Sequence, residues 1–305
     1  MAQIRAAGEE MSVEAMDAAL PLALMGAGRR SWRIRLKRNR GAVIGASIVL
    51  FMVLFCFVGP YIYPSDQVAT NIDQINSAPS AANPLGTDGN GFNILGRLMV
   101  GGQSALEVGL AAALLSTVIG VVWGTVAGLA GGVVDAVMMR IVDGLLAIPA
   151  LFLLLFLASI WKPDTATLIV VISVVAWLIP ARLLRGETLT LRVREYVEAV
   201  KCMGGTNRRI VFVHIIPKAI GTIIVNANFQ VADSILLLAG LSFLGLGLPL
   251  PAVNWGSMLS DGLNYLYAGY WWQVYPAGLC IVITVLAFNM IGENLRGSLD
   301  SRTGT

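Results

Sequence analysis

The chain of 305 residues sets 21 Lys and Arg against 18 Asp and Glu, a formal net charge of +3, yet only 13% of its residues are charged and 56% are hydrophobic. With a mean hydropathy of +0.75, this composition excludes an ordinary water-soluble domain, whose surface demands more charge, and predicts an all-α membrane protein. One histidine and three cysteines, at positions 214 and 56, 202 and 280, offer neither metal-ligand spacing nor an evident disulfide pair, so no cofactor is expected on the chain itself.

Residues 1–40 read as a cytoplasmic extension. Its first 30 residues mix Ala, Glu, Met and Gly without strong periodicity. Arg29, Arg30, Arg33, Arg35, Lys37, Arg38 and Arg40 then precede the first apolar run, with no acid between Asp17 and Asp66. Such a cluster holds its end of a helix in the cytoplasm and meets anionic lipid; nucleic acid is not an expected partner. The run at 42–63 starts about 40 residues in and exceeds a signal-peptide core of roughly 7–15 residues, so it is expected to remain as a helix.

Five further runs, near 106–130, 139–161, 167–184, 220–240 and 274–291, meet the requirement of about 20 apolar residues per helical span. Six spans place both termini inside. The expected organisation is a first transmembrane helix at 41–64, an extracytoplasmic loop or small cap at 65–103, a five-helix core at 104–292 and a cytoplasmic tail at 293–305. After the second span, Asp135, Arg140 and Asp143 are expected to form ion pairs. Trp255, Tyr265, Tyr267, Tyr270, Trp271, Trp272 and Tyr275 fit an aromatic belt at the outer interface.

The segment 185–218 interrupts the apolar pattern. Arg182, Arg185, Arg192, Arg194, Lys201, Arg208, Arg209 and Lys218 outnumber Glu187, Glu195 and Glu198, which predicts a cytoplasmic location. Tyr196, Ala199, Val200 and Met203 recur at helical spacing as an apolar stripe, with Glu195 and Glu198 on another face. Gly204 and Gly205 end that helix, Thr206 caps a second one, and Pro217 should stop or kink it near Ile216. A plain amphipathic loop resting on lipid is the alternative.

In the fifth span Asn226, Gln230 and Asp233 recur at i, i+4 and i+7 with Ser234 beside them. Polar groups are costly in a membrane, so this face should avoid lipid. Two readings stand: it lines a translocation path, or it bonds neighbouring helices.

Three motifs carry a family resemblance. EYVEAVKCMGGTNRRIVFVHIIP, residues 195–217, resembles the EAA loop of permease subunits in bacterial ABC importers, with Glu198, Ala199, Gly204 and Pro217 at the family's spacing; Val200 and Ile216 replace its usual Ala and Leu. Residues 83–110 are similar to the HPLGTD-type signature of the dipeptide/oligopeptide/nickel branch through Pro84, Leu85, Gly86, Thr87, Asp88 and Arg97. Gly91, Phe92 and Asn93 stand where that branch often has Gly-Arg-Asp. LSFLGLGLPLPAVNWGSMLSDG, residues 241–262, resembles the same branch, although Leu238 replaces a frequent acid just before it. The likeness runs from about 33 to 302.

The resemblance implies a type I ABC importer permease fold with six transmembrane helices in the bacterial inner membrane. It implies a permease subunit importing dipeptides or oligopeptides, or alternatively nickel, haem or another small solute. It implies a second permease subunit, one or two ATPase subunits carrying ATP and Mg, an extracytoplasmic binding protein, peptide and lipid as partners. Glu195, Glu198, Ala199, Gly204, Gly205, His214 and Pro217 would couple to the motor, which fits the lack of a GxxxxGK[ST] loop in this chain. An ATP-independent channel or carrier would need paired intramembrane charges or an internal repeat; Asp233 is the one clear candidate acid and no repeat is evident.

Overall fold

The structure is a computed structural model describing residues 40–161, 164–249 and 251–300; the basic segment before Arg40 lies outside the described residues. Helix α1 (Arg40–Phe57) leads through an ordered irregular segment into the long α2 (Ile94–Ala130). There follow α3 (Gly132–Leu146), α4 (Ala150–Ile160), α5 (Thr165–Ala176), α6 (Leu178–Leu191) and the short α7 (Glu195–Cys202). The chain then turns through Asn207–Arg209 and a π-helical turn, Ile210–Ile215, into α8 (Ile216–Leu241) and a second π turn, Ser242–Leu246. Helix α9 (Trp255–Leu266) and α10 (Tyr275–Asp300) complete the chain. Among the described residues the only strand-like pairing is an isolated bridge between Thr87 and Asn93.

Four stretches are long and apolar enough to cross a membrane as single rods: Arg40–Phe57, Ile94–Ala130, Asn207–Leu246 and Trp271–Ser298. The other two expected spans are broken. Helices α3 and α4 meet at 88°, and α5 and α6 at 45°, giving six spans if each pair counts as one. Proline explains both breaks. Pro149 initiates α4, and Pro180 in the first turn of α6 lacks the N–H that would bond the carbonyl of Ala176. Helix α10 continues to Asp300, past the expected start of the tail at 293.

Helix α2 is the centre, packed against α1, α5, α6 and α8, while α10 closes the bundle against α1 and α8. Its contact with α6 depends on Gly120, Gly124 and Gly128, spaced by four on one face. A Cβ at those positions would lie 2.4 Å from Pro180 Cβ, 2.3 Å from the Ala181 carbonyl and 2.7 Å from Thr188 Cβ. Small residues let the backbones approach where lipid supplies no hydrophobic drive. Exposed Leu50, Phe51, Leu110, Leu114, Leu279 and Leu286 cover the outer faces, as a lipid-facing surface requires.

Candidate functional site

Helix α7 is fastened by a small apolar cluster at one end of the bundle. Val197, Ile210 and Ile215 are fully buried there against Leu129 at the end of α2, Leu191 at the end of α6, and Val200. The buried face therefore centres on Val197, not on the stripe expected from spacing. Of that stripe only Val200 joins the cluster, whereas Tyr196, Ala199 and Met203 are exposed. Both faces of this short helix are apolar, and only one meets the chain's own bundle. Glu195 and Glu198 are exposed beside the outward face and form no ion pair among the described residues.

The turn after α7 follows from its glycines. Gly204 adopts φ +77°, a left-handed conformation that disfavours a side chain. The Gly205 N–H donates to the Val200 carbonyl at 2.9 Å, and a Cβ on Gly205 would lie 2.4 Å from Val200 Cγ1. Thr206 caps the next turn by accepting from the Arg209 N–H at 3.4 Å. His214 packs tilted against Tyr196, with ring planes 41° apart and centroids at 6.2 Å, and Lys218 Nζ lies 5.9 Å from the same ring. Pro217 neither stops the helix nor isolates it: the chain widens into the π turn just before it and continues as α8. That turn absorbs the missing donor.

Ion pairs brace the same end. Arg185 forms a fork onto Asp135, Nε to Oδ1 at 2.5 Å and Nη2 to Oδ2 at 2.7 Å, and Arg182 reaches Asp143 at 2.6 Å. Arg140, expected among these pairs, is exposed and takes no part in them. Arg192 donates to the Gly128 carbonyl at 2.8 Å, satisfying the end of α2.

The four polar residues of α8 separate. Gln230 is buried and donates Nε2 to the Ala176 carbonyl at 2.6 Å and to Ser116 Oγ at 3.3 Å; it replaces the bond that Pro180 cannot make. Ser234 is buried with its hydroxyl unpartnered, and the Asn226 amide nitrogen is buried and unpartnered too. Asp233 instead faces a cavity of about 310 Å³ bounded by the α3–α4 elbow, the α5–α6 break and α8. Trp123 of α2 packs edge-on against Trp177 at that break, 4.9 Å between centroids.

At the opposite end, residues 63–93 form an ordered cap. Asp88 accepts from the Asn90 and Phe92 N–H groups, each at 2.9 Å, and pairs with Arg97 Nε at 3.2 Å. The Arg97 guanidinium lies 4.4 Å from the centre of the Phe92 ring. Asn93 caps α2 by accepting from the Gly96 N–H at 3.0 Å and donates to Tyr63 and Asn83. Thr87 hydrogen-bonds the Gln74 carbonyl. Its own carbonyl accepts from Trp272 Nε1 at 3.2 Å and Gln273 Nε2 at 3.3 Å. The PLGTD signature is thus a clasp that ties the cap to the start of α10. Two backbone N–H groups, of Val68 and Ala69, hold the exposed Asp66 carboxyl below its ordinary range.

The aromatic residues of the last loop divide in the same way. Trp255 is buried and donates to the Leu98 carbonyl at 2.9 Å, and Trp272 is buried in the clasp, so neither belongs to an interfacial belt. Tyr267, Trp271 and Tyr275 are exposed. Asn254 caps α9 through a reciprocal pair of bonds with Ser257 and donates to Ser242 Oγ at 2.9 Å, joining α9 to the end of α8. Leu238 is a fully buried core residue.

Comparison with known proteins covers nearly the whole chain. Residues 120–305 match the family described as binding-protein-dependent transport system inner membrane component, and residues 27–79 match the N-terminal transmembrane domain of oligopeptide transport permease C. The dipeptide transport system permease protein DppC of Bacillus subtilis is 37% identical over 89% of this chain and 85% of its own length. The oligopeptide transport system permease protein OppC of Salmonella typhimurium is 39% identical over 90% of this chain and 92% of its own. A solved chain from inward-facing MetNI methionine ABC transporter crystals superposes with a TM-score of 0.54 at 20% identity, covering 65% of this chain and 94% of that one.

Proposed function

The chain belongs to the family of binding-protein-dependent inner-membrane transport components, and on that premise we propose that this ABC importer permease subunit carries dipeptides or oligopeptides. The observation that carries the cargo assignment is the similarity to dipeptide and oligopeptide permeases over about nine-tenths of the chain. ATP and Mg belong to partner ATPase subunits, a second permease completes the path, and an extracytoplasmic binding protein delivers the peptide.

The coupling surface is the exposed face of α7, with Glu195, Glu198, Ala199, Tyr196 and Met203, presented by the turn at Gly204 and Gly205. Its support is geometric. An apolar and acidic face is left open on a helix whose other face is locked to α2, α6 and the start of the α8 rod. A motor subunit pushing on that face displaces a packed lever rather than a loose loop, which is what rigid-body transmission needs. His214 and Lys218 steady Tyr196 from the rod side. Asp233 lines the path with Gln230, whereas Asn226 and Ser234 serve packing between helices.

The test is ATP hydrolysis and peptide uptake by the complex purified through this chain and reconstituted in lipid, with and without dipeptide-loaded binding protein. Stimulation of both supports the reading. Transport by this chain alone without ATP overturns it, and stimulation only by a non-peptide cargo overturns the cargo assignment.

A further inference from the structure

The cavity beneath Asp233 lies where two broken helices meet. Leu146 and Ala150 flank the break between α3 and α4, with Ile148 inside it, and Ala176 and Leu178 flank that between α5 and α6. Irregular backbone at membrane depth is tolerated where it lines an enclosed or watery space, and broken helices commonly mark such spaces. At about 310 Å³, the cavity falls at the small end of the roughly 300–1,000 Å³ typical of small-molecule sites.

The lining is aliphatic apart from two side chains of α8. Gln230 is already committed to Ala176 and Ser116. Asp233 is not: its side chain is exposed to the cavity and enters none of the ion pairs among the described residues. Helix α3 ends at Leu146 on the cavity wall, and its C-terminal dipole places negative potential on that wall. An ionised acid in a span demands a cationic partner, and both features of this cavity select one.

We propose that Asp233 binds the α-ammonium group of a peptide in transit while the aliphatic walls accept its side chains. This assignment rests on the peptide-import reading. A transiting substrate is favoured over a fixed cation of the second permease because the exposed carboxylate opens into a half-open recess of about 310 Å³, lined by three pieces of this same chain, that leaves room for a small molecule in front of it. Gln230, holding the α5–α6 break to α8, positions the wall opposite.

The experiment uses the reconstituted complex at saturating loaded binding protein and measures uptake of alanyl-alanine and of propionyl-alanine, which lacks the ammonium group. Asp233→Asn is expected to slow alanyl-alanine uptake roughly tenfold or more, the scale of a lost charge-assisted hydrogen bond, and not to slow uptake of propionyl-alanine, a net anion that the native carboxylate repels. Asp233→Glu is expected to retain most alanyl-alanine uptake, an arm that holds even if the binding protein does not deliver the propionyl compound. Unchanged alanyl-alanine uptake in Asp233→Asn, equal slowing of both compounds, or equal losses in the Asn and Glu variants would overturn the assignment. So would dissociation of the Asp233→Asn complex in gel filtration, which would place the carboxylate's partner on another subunit. If the wild-type complex couples ATP to a non-peptide cargo only, the peptide-import reading itself fails, and this is seen before any variant is made.

Discussion

The cluster that fastens α7 gives a coupling prediction with a magnitude. Val197 has no accessible surface and touches Ile210 and Ile215 of the rod and the ends of α2 and α6. Val197→Ala deletes two methyl groups. At about 0.8 kcal/mol per buried carbon plus a residual cavity term, this costs about 2 kcal/mol of docking energy. Since about 1.4 kcal/mol is a factor of ten, the undocked fraction of α7 should rise roughly thirtyfold. Hydrogen exchange of the amides at 195–203, measured on the assembled complex in lipid, should accelerate by that factor, and peptide transported per ATP hydrolysed should fall. Met203→Ala is the control on the adjoining, outward face. It is 78% exposed in the chain alone, so its exchange rates should stay at wild type while affinity for the ATPase subunit drops. Unchanged exchange and unchanged stoichiometry in Val197→Ala would show that this cluster does not hold the lever.

Other perturbations probe the remaining joints. Glu198→Arg and Gly204→Asp should uncouple ATP hydrolysis from uptake with the protein still membrane-inserted, the second because it adds a charged side chain to the exposed turn, at a φ of +77° that favours glycine; coupled uptake at the wild-type ratio in either would count against the loop assignment. Gln230→Leu should destabilise the permease by about 1 kcal/mol, the low end for an orphaned carbonyl because the cavity admits water. In a Pro180→Ala background the restored N–H should bond Ala176 instead, so the cost should shrink; additive effects in mixed-micelle unfolding would refute that account. Trp272→Phe removes the indole bond to Thr87 and should raise protease sensitivity of residues 63–93 without altering membrane insertion, read by limited proteolysis from each side. Gly256→Ala places a Cβ about 2.4 Å from the Ala239 carbonyl and should lower the yield of assembled complex, measured by gel filtration.

Much of the fold was legible because membrane spans announce themselves by length and apolarity, and the cap by its turn residues. The broken spans were not, since a run such as 139–161 is uniformly apolar and hydropathy does not register direction; Pro149 and Pro180 were the available signals. The buried face of α7 was misjudged because Val197 and Val200 lie next to Tyr196, Ala199 and Met203 around the helix, and periodicity cannot say which of two adjoining apolar faces meets the bundle and which awaits a partner. Gly120, Gly124 and Gly128 went unread although their spacing of four was in plain view. For the polar face of α8, spacing identified the residues but not their division: Gln230 turns to Ala176 because Pro180 frees that carbonyl, a pairing across 54 positions that only the bend creates.

On the proposed coupling, these pieces form one mechanical path. The rod Asn207–Leu246 spans 40 residues, and its regular α-helical part, the 26 residues Ile216–Leu241, is by itself about 39 Å long at 1.5 Å per residue, more than the hydrocarbon thickness of roughly 30 Å. Its first residues pack under α7, its middle carries Asp233 to the cavity, and its last turn is held to α9 by Asn254 and Ser242. A rod fastened at both ends cannot shift at α7 without either bending or moving the cavity wall. The π turn at Ile210–Ile215 and the positive φ of Gly245 (+86°) sit at its two ends, where the backbone departs from regular α geometry, while the stretch carrying Asp233 is unbroken helix. On the proposed coupling, ends that yield and a middle that stays stiff would let α8 tilt as a unit, so that a push on α7 would reach Asp233 as a displacement of the wall instead of being spent in flexing the helix that bears it.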